Sequence, residues 1–244
     1  MARYLPLTRE QHQIDFCVAN GENAAGGFGL TEATAKDLFA AGVDVITSGN
    51  HIFDKREFRP YLDQTDRVLR PANYPSATPG RGSTVIDVAG VRIGVLNLMG
   101  RVFMPAVDDP FAVGRRVVDE LLAQTPIIIL DMHAEATSEK MGIARFFDGE
   151  ASLVFGTHTH VQTADEQIFP GGTAYITDLG MTGPTDGVIG MESKAVIERF
   201  TTSLSERFSV VKGGMSQFGA LVATIDRETG KALSVKRLSI RGLG

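Results

Sequence analysis

Short, continuous apolar runs constrain the fold of this 244-residue chain more than any other feature. The runs are rich in β-branched residues and do not alternate with polar ones, which is typical of strands covered on both faces. Gly-rich or polar connections and helical stretches separate them. We therefore predict strands at residues 43–47, 91–98, 127–131, 151–155 and 173–178.

The segments between these runs have the residue spacing of helices. Residues 31–39 begin with a threonine that can cap a helix, and residues 111–124 place their apolar side chains in one stripe. Residues 192–200 predict a shorter helix, and residues 217–240 predict two strands joined by a turn. We find no internal repeat or linker and expect one α/β domain over residues 1–244.

Composition excludes several classes of protein. The net charge of −5 argues against a dedicated nucleic-acid-binding role, because such proteins need a basic surface. The only cysteine, Cys17, excludes an internal disulfide and a cysteine-based zinc site. No apolar run is long enough to span a membrane, and no signal peptide is visible, so we expect a cytoplasmic protein.

Polar runs follow the predicted strands and contain four of the five histidines. Imidazole, carboxylate and amide oxygen are ligands that divalent metals accept. A single histidine is more often structural than ligating, but several runs at the carboxyl ends of strands predict a metal site. The runs are residues 20–23, 49–51, 131–135 and 156–160.

The residue types are compatible with two metal ions. Glu22 has two oxygens and can bridge two cations. Asn50, His133 and His158 can complete one site, and His160 can serve the other. On a regular strand, His158 and His160 would point to the same side. Two such ions can activate water and hold both oxygens of an in-line phosphoryl displacement.

The same runs resemble the motifs of the YmdB-like metallophosphoesterases, within the calcineurin-like phosphoesterase superfamily. The resemblance includes the Asn-Gly-Glu-Asn, Gly-Asn-His and Gly-Thr-His-Thr-His motifs and covers nearly the whole chain. It extends to residues 70–73, 97–101, 131–140 and 177–184. It implies a four-layer αββα sandwich, a dinuclear iron or manganese centre and a phosphodiesterase that hydrolyses small phosphate diesters, cyclic nucleotides in particular.

The resemblance also implies roles for individual residues. Glu22 would be the bridging carboxylate, and Asn23 a further metal or substrate contact. Asn50, His133 and His158 would hold one metal, and His160 would help to hold the other. His51 would protonate the leaving oxygen.

The chain departs from the family pattern at its start. The family opens with a strand that ends in an aspartate, which ligates the first metal. Here residues 1–7 resemble the helix that follows that strand, and Asp15 precedes its own strand. We therefore expect one strand and one ligand to be missing from the sandwich, which would weaken the first metal site.

Several nearby residues have two interpretations. Asp131 either orients a ligand or caps backbone, and Arg101 either holds a phosphate oxygen or forms a salt bridge. Glu135 and Glu139 either serve the site or start a helix. Thr157 and Thr159 are expected to point away from the metals.

Two other functions remain open alongside the phosphodiesterase. One is a catalytically impaired regulatory or binding homologue, which the missing ligand would favour. The other is a metal-dependent phosphomonoesterase, which the same cluster could support. The expected partner is a small phosphodiester substrate, and a homo-oligomer is possible.

Overall fold

Strands and helices alternate along the computed structural model, which describes residues 2–204 and 206–243. The helices are α1 (Tyr4–His12), α2 (Glu32–Ala40), α3 (Arg59–Leu62), α4 (Pro110–Leu122), α5 (Thr137–Phe146) and α6 (Ser193–Thr202). The strands are β1 (Val18–Asn20), β2 (Val45–Thr47), β3 (Ser83–Val88), β4 (Val91–Met99), β5 (Ile128–His133), β6 (Leu153–Thr157), β7 (Gln167–Ile168), β8 (Ala174–Ile176), β9 (Gly183–Pro184), β10 (Ser216–Ile225) and β11 (Ala232–Leu243). The predicted strands, helices and C-terminal hairpin are confirmed, with small shifts at their ends.

Six of the strands form one sheet in the order β3-β4-β5-β6-β8-β7. The four central strands run parallel, whereas β3 and β7 are antiparallel edge strands. Both faces of the central strands are covered, which explains why their sequences are continuously apolar.

Helices α4 and α5 cover one face of this sheet. Asp109 caps α4 by accepting a hydrogen bond from the Phe111 backbone N–H, and Pro110 occupies the first turn. The stripe predicted on this helix packs against Leu96, Leu98 and Leu130 of the sheet in one buried core.

The opposite face of the sheet packs against a second layer of strands. Val45 of β2 contacts the face that carries Val95, whereas Ala19 and Ile46 pack in a separate core with Leu5 and Ala35 of α1 and α2. The alternation of side chains along β1 and β2 thus separates an inner core from an outer one. The result is the expected αββα sandwich.

The second layer is divided within the described part of the chain. Strands β1 and β2 form one parallel pair, and β9, β10 and β11 form a separate sheet. Residues of β1 and β10 line a cavity of about 650 Å³ between the two parts, and Ile129, Leu153 and Phe155 of the larger sheet also line it. The cavity reaches Asn23 and His160.

No helix among residues 2–204 and 206–243 is long and apolar enough to cross a membrane.

The carboxyl ends of β2, β5 and β6 lie at one edge of the sandwich. Asp131 of β5 joins them, because it accepts hydrogen bonds from Thr47, the last residue of β2, and from Thr157, the last residue of β6. This edge brings together the polar runs that follow the strands.

Gly156 provides a test of the close packing near this edge. A Cβ at this position would lie 1.7 Å from the Thr177 carbonyl oxygen and 2.6 Å from Cδ of Lys140. Gly156→Ala should therefore lower the free energy of unfolding by about 1–3 kcal/mol, measured by urea denaturation. Gly183→Ala is the matched control, because a Cβ there meets no described atom within 4 Å. Equal stability of the two variants would contradict this packing.

Candidate metal centre

Four polar side chains converge where β1, β2, β5 and β6 end. Ligand atoms of Glu22, His133 and His158 lie within 4.8 Å of one another. His133 Nε2 is 3.3 Å from Glu22 Oε1, 3.1 Å from His158 Nδ1 and 3.0 Å from Asn50 Oδ1. The structure therefore brings together Glu22, Asn50, His133 and His158.

His133 is held in one tautomer by its neighbours. Thr157 Oγ1 donates its only proton to Asp131 Oδ1 at 2.7 Å, so it must accept from His133 Nδ1–H at 2.9 Å. The Nε2 lone pair of His133 then points at the cluster. Thr157 has more than the expected filler role, because its hydroxyl lies between Asp131 and the Nδ1 side of His133, away from Nε2.

Asp131 accepts the hydrogen bonds that support this arrangement. It is fully buried and also accepts hydrogen bonds from Thr47 Oγ1 at 2.6 Å and Asn20 Nδ2 at 3.0 Å. Burial raises the pKa of Asp131 to about 6, although the hydrogen bonds from Thr47, Asn20 and Thr157 oppose that rise. Of its two interpretations, the geometry favours a carboxylate that orients a neighbouring side chain.

The electrostatics of the cluster suit a cation. Burial raises the pKa of Glu22 to about 8 and lowers the pKa of His133 and His158. The contact between Glu22 and His133 is therefore a neutral hydrogen bond rather than an ion pair. Lone pairs of Asn50 Oδ1 and His133 Nε2 face each other at 3.0 Å, which is repulsive unless a proton or cation lies between them.

A second pair of side chains lies beside the cluster. Asn23 Nδ2 is 3.2 Å from His160 Nε2, and the buried Asn23 Oδ1 has no hydrogen-bond partner among the described residues. An unpaired buried oxygen next to an imidazole nitrogen fits a cation ligand. His160 itself is not among the atoms within 4.8 Å of one another, so it belongs to this second pair.

The two histidines of the His-Thr-His run do not lie on a strand. Strand β6 ends at Thr157, and His158 and His160 have left-handed φ values of 99° and 67°. The same-side placement that a regular strand would give these two histidines therefore does not apply here. Such conformations cost on the order of 1–3 kcal/mol each, so surrounding contacts must hold the turn.

Gly49 leaves space for the ring of His133. A Cβ on Gly49 would lie 2.2–2.4 Å from the His133 ring atoms. Only a glycine allows the loop after β2 to cross this close to the ring, which places Asn50 against Nε2.

His51 lies at the edge of the cluster, and its ring nitrogens are not among the ligand atoms that converge there. Its backbone N–H donates to Glu22 Oε2 at 3.2 Å, and Phe28 packs edge-on against its ring at 5.1 Å. Its Nδ1 pairs with Asp54 Oδ2 at 2.8 Å, which leaves Nε2 as the nitrogen for a substrate.

The other ambiguous residues are also placed by the structure. Glu135 precedes α5 and pairs with His158 Nε2 at 3.1 Å, so it orients that ring. Glu139, in the first turn of α5, accepts hydrogen bonds from the backbone N–H groups of Arg101 and Val102. Arg101 forms a salt bridge with Asp109 at 3.3 Å, which agrees with the second of its two interpretations.

Sequence reasoning did not identify the partners of these residues. Asp54 follows His51 by three positions, and that spacing could have suggested a pair. Lys140 and Asp178 form a buried ion pair under the His-Thr-His turn, but they are 38 residues apart. Each lies in a segment that resembled the family motifs, which is the only signal the sequence offered.

Comparison with known proteins supports a common origin. A profile of the family described as YmdB-like protein matches residues 1–238. The 2′,3′-cyclic-nucleotide 2′-phosphodiesterase of Bacillus subtilis (strain 168) is 47% identical over 237 residues, which are 97% of this chain and 89% of that protein.

Solved structures agree with this match. A hypothetical protein from Thermus thermophilus superposes with a TM-score of 0.92 at 38% identity, covering 99% of this chain and 92% of that chain. A structure described as a novel phosphatase from Mycoplasma pneumoniae has a TM-score of 0.91 at 34% identity, covering 98% and 87%. Since the sequence match extends over nearly all residues and the folds superpose, the chain belongs to the YmdB-like protein family.

Proposed function

We propose that this chain is a metal-dependent phosphodiesterase that hydrolyses small phosphate diesters, with 2′,3′-cyclic nucleotides as the substrate class. The observation that carries the proposal is the convergence of Glu22, Asn50, His133 and His158 around a point where lone pairs face one another. The name of the Bacillus subtilis relative supports the substrate class.

We propose two metal ions, iron or manganese, at this edge of the sandwich. Asn50, His133 and His158 would hold one ion, Asn23 and His160 would contribute to the other, and Glu22 would bridge them. When bound, the ions supply Lewis acidity that activates water and neutralises the charge of the phosphate.

His51 would handle the proton of the leaving group. A water molecule gives up one proton to solvent as its oxygen forms the new bond to phosphorus, and the bond from phosphorus to the leaving sugar oxygen breaks. His51 Nε2–H donates its proton to that oxygen. Asp54 pairs with Nδ1 and so orients the ring, which leaves Nε2 to act on the leaving oxygen.

A phosphomonoesterase is the second candidate, since the Mycoplasma pneumoniae relative is described as a phosphatase. The same residues would act on a monoester. The relative rates on the two substrate classes separate the candidates.

Metal analysis of the purified protein tests the proposed function. We expect up to two iron or manganese ions per chain and hydrolysis of a 2′,3′-cyclic nucleotide at a higher rate than p-nitrophenyl phosphate. Removing the metal should abolish activity, and adding it back should restore it. A metal-free protein with full diesterase activity would refute the proposal.

Substitution of His51 tests the role of the proton donor. His51→Ala should lower kcat for a cyclic nucleotide by roughly 10²–10⁴-fold, because the leaving oxygen loses its acid. Its metal content should match that of the wild type, measured on the same preparation. His133→Ala is the matched comparison and should lose metal as well as activity. Loss of metal in His51→Ala would make His51 a ligand instead.

The raised pKa of Glu22 predicts how metal affinity depends on pH. Without metal, the buried carboxyl holds its proton up to about pH 8, whereas a bridging role needs the carboxylate. Each binding event then releases a proton, so the affinity for Mn²⁺ should rise about tenfold per pH unit below pH 8 and level off above it. Calorimetric titrations between pH 6 and 9 measure this slope. A constant affinity across that range would contradict the protonated state.

A further inference from the structure

The His158-Thr159-His160 turn carries a histidine from each proposed half of the centre, although both residues have left-handed φ values. Residues other than glycine rarely adopt such backbone conformations, so contacts with the rest of the protein must hold the turn. The contacts of Thr159, the residue between the two histidines, show what holds the turn.

Thr159 is attached to a buried carboxylate at two points. Its backbone N–H donates to Asp178 Oδ2 at 3.2 Å, and its hydroxyl donates to the same oxygen at 2.7 Å. The other oxygen of Asp178 accepts from the Gly180 N–H at 2.8 Å. On the far side of the turn, the Met181 N–H donates to the His160 carbonyl. The segment after β8 thus holds the turn through hydrogen bonds to Thr159 and His160.

Lys140 supplies the charge that balances Asp178. Its Nζ lies 2.7 Å from Asp178 Oδ2, and both side chains are only 1% exposed. Lys140 also lies 3.4 Å from the Thr159 hydroxyl. The pair connects α5 to the turn, while neither residue belongs to the converging ligand atoms.

Burial of such a pair is not explained by stability alone. Removing two charges from water is costly, and well-packed apolar residues in their place are often equally or more stabilising. The proposed mechanism uses neither residue. Both members of the pair contact Thr159, so the pair fixes the residue that lies between the two histidines.

We propose that Lys140 and Asp178 are positioning residues that hold the His158-Thr159-His160 turn in its strained shape and so aim both imidazoles at the metal centre. The inference rests on the proposed function, since it concerns the metal ligands of that site. It assigns the geometry of these ligands to an ion pair outside the centre.

Three variants test the inference. Lys140→Met with Asp178→Asn removes both charges and keeps the side-chain volume. Thr159→Val keeps the branched shape and the ion pair but removes the hydroxyl that Asp178 accepts from. Arg237→Met with Glu166→Gln is the control, because it removes a partly buried ion pair of 3.3 Å elsewhere.

The measurements are Mn²⁺ affinity by calorimetry, the visible spectrum of the Co²⁺-loaded protein and the Tm of the metal-free protein. The first two variants should bind Mn²⁺ about 10- to 100-fold more weakly, the range expected when a partner of a metal ligand is lost. Their Co²⁺ spectra should change, and the metal-free Tm of Thr159→Val should stay close to that of the wild type. The control should match the wild type in affinity and spectrum.

Wild-type affinity and an unchanged Co²⁺ spectrum in a folded Thr159→Val protein would overturn the inference. If the double variant fails to fold, the Thr159 variant alone decides the question. Loss of Mn²⁺ affinity in the control as large as in the test variants would also overturn it. A wild-type protein that binds no metal would refute the proposed function, and this inference with it.

Discussion

The carboxylate of Asp131 joins the two strand layers at the edge where the proposed site lies. It accepts hydrogen bonds from Asn20 and Thr47 of the second layer and from Thr157 of the larger sheet. The hydroxyl of Thr157 in turn fixes the tautomer of His133. One buried group therefore sets both the relative position of the sheets and the direction of a proposed ligand.

Local patterns account for what the sequence predicted well. Strand β4 and helix α4 were found because side-chain periodicity is a property of neighbouring residues. The convergence of Glu22, Asn50, His133 and His158 was predicted for a related reason, since the carboxyl ends of parallel strands meet at one edge. Fold class and the members of the cluster thus needed no knowledge of distant contacts.

The errors and omissions concern contacts between distant segments. A strand spacing of two residues placed His158 and His160 on one side, but the chain turns after Thr157, and both residues adopt left-handed φ values. The role of Thr157 depends on Asp131, 26 residues earlier. Asp178, which accepts hydrogen bonds from Thr159, is paired with Lys140 on a separate helix. Periodicity carries no information about such pairs, because each member has an ordinary sequence context.

The divided second layer gives the proposed centre a common route to solvent. The cavity between β1 and β10 is lined by Glu22, Asn23, His158 and His160, whereas His133 is fully buried behind them. Ligands proposed for both ions therefore border the same space of about 650 Å³. A small chelator that enters this cavity would reach both halves of the proposed centre from one side.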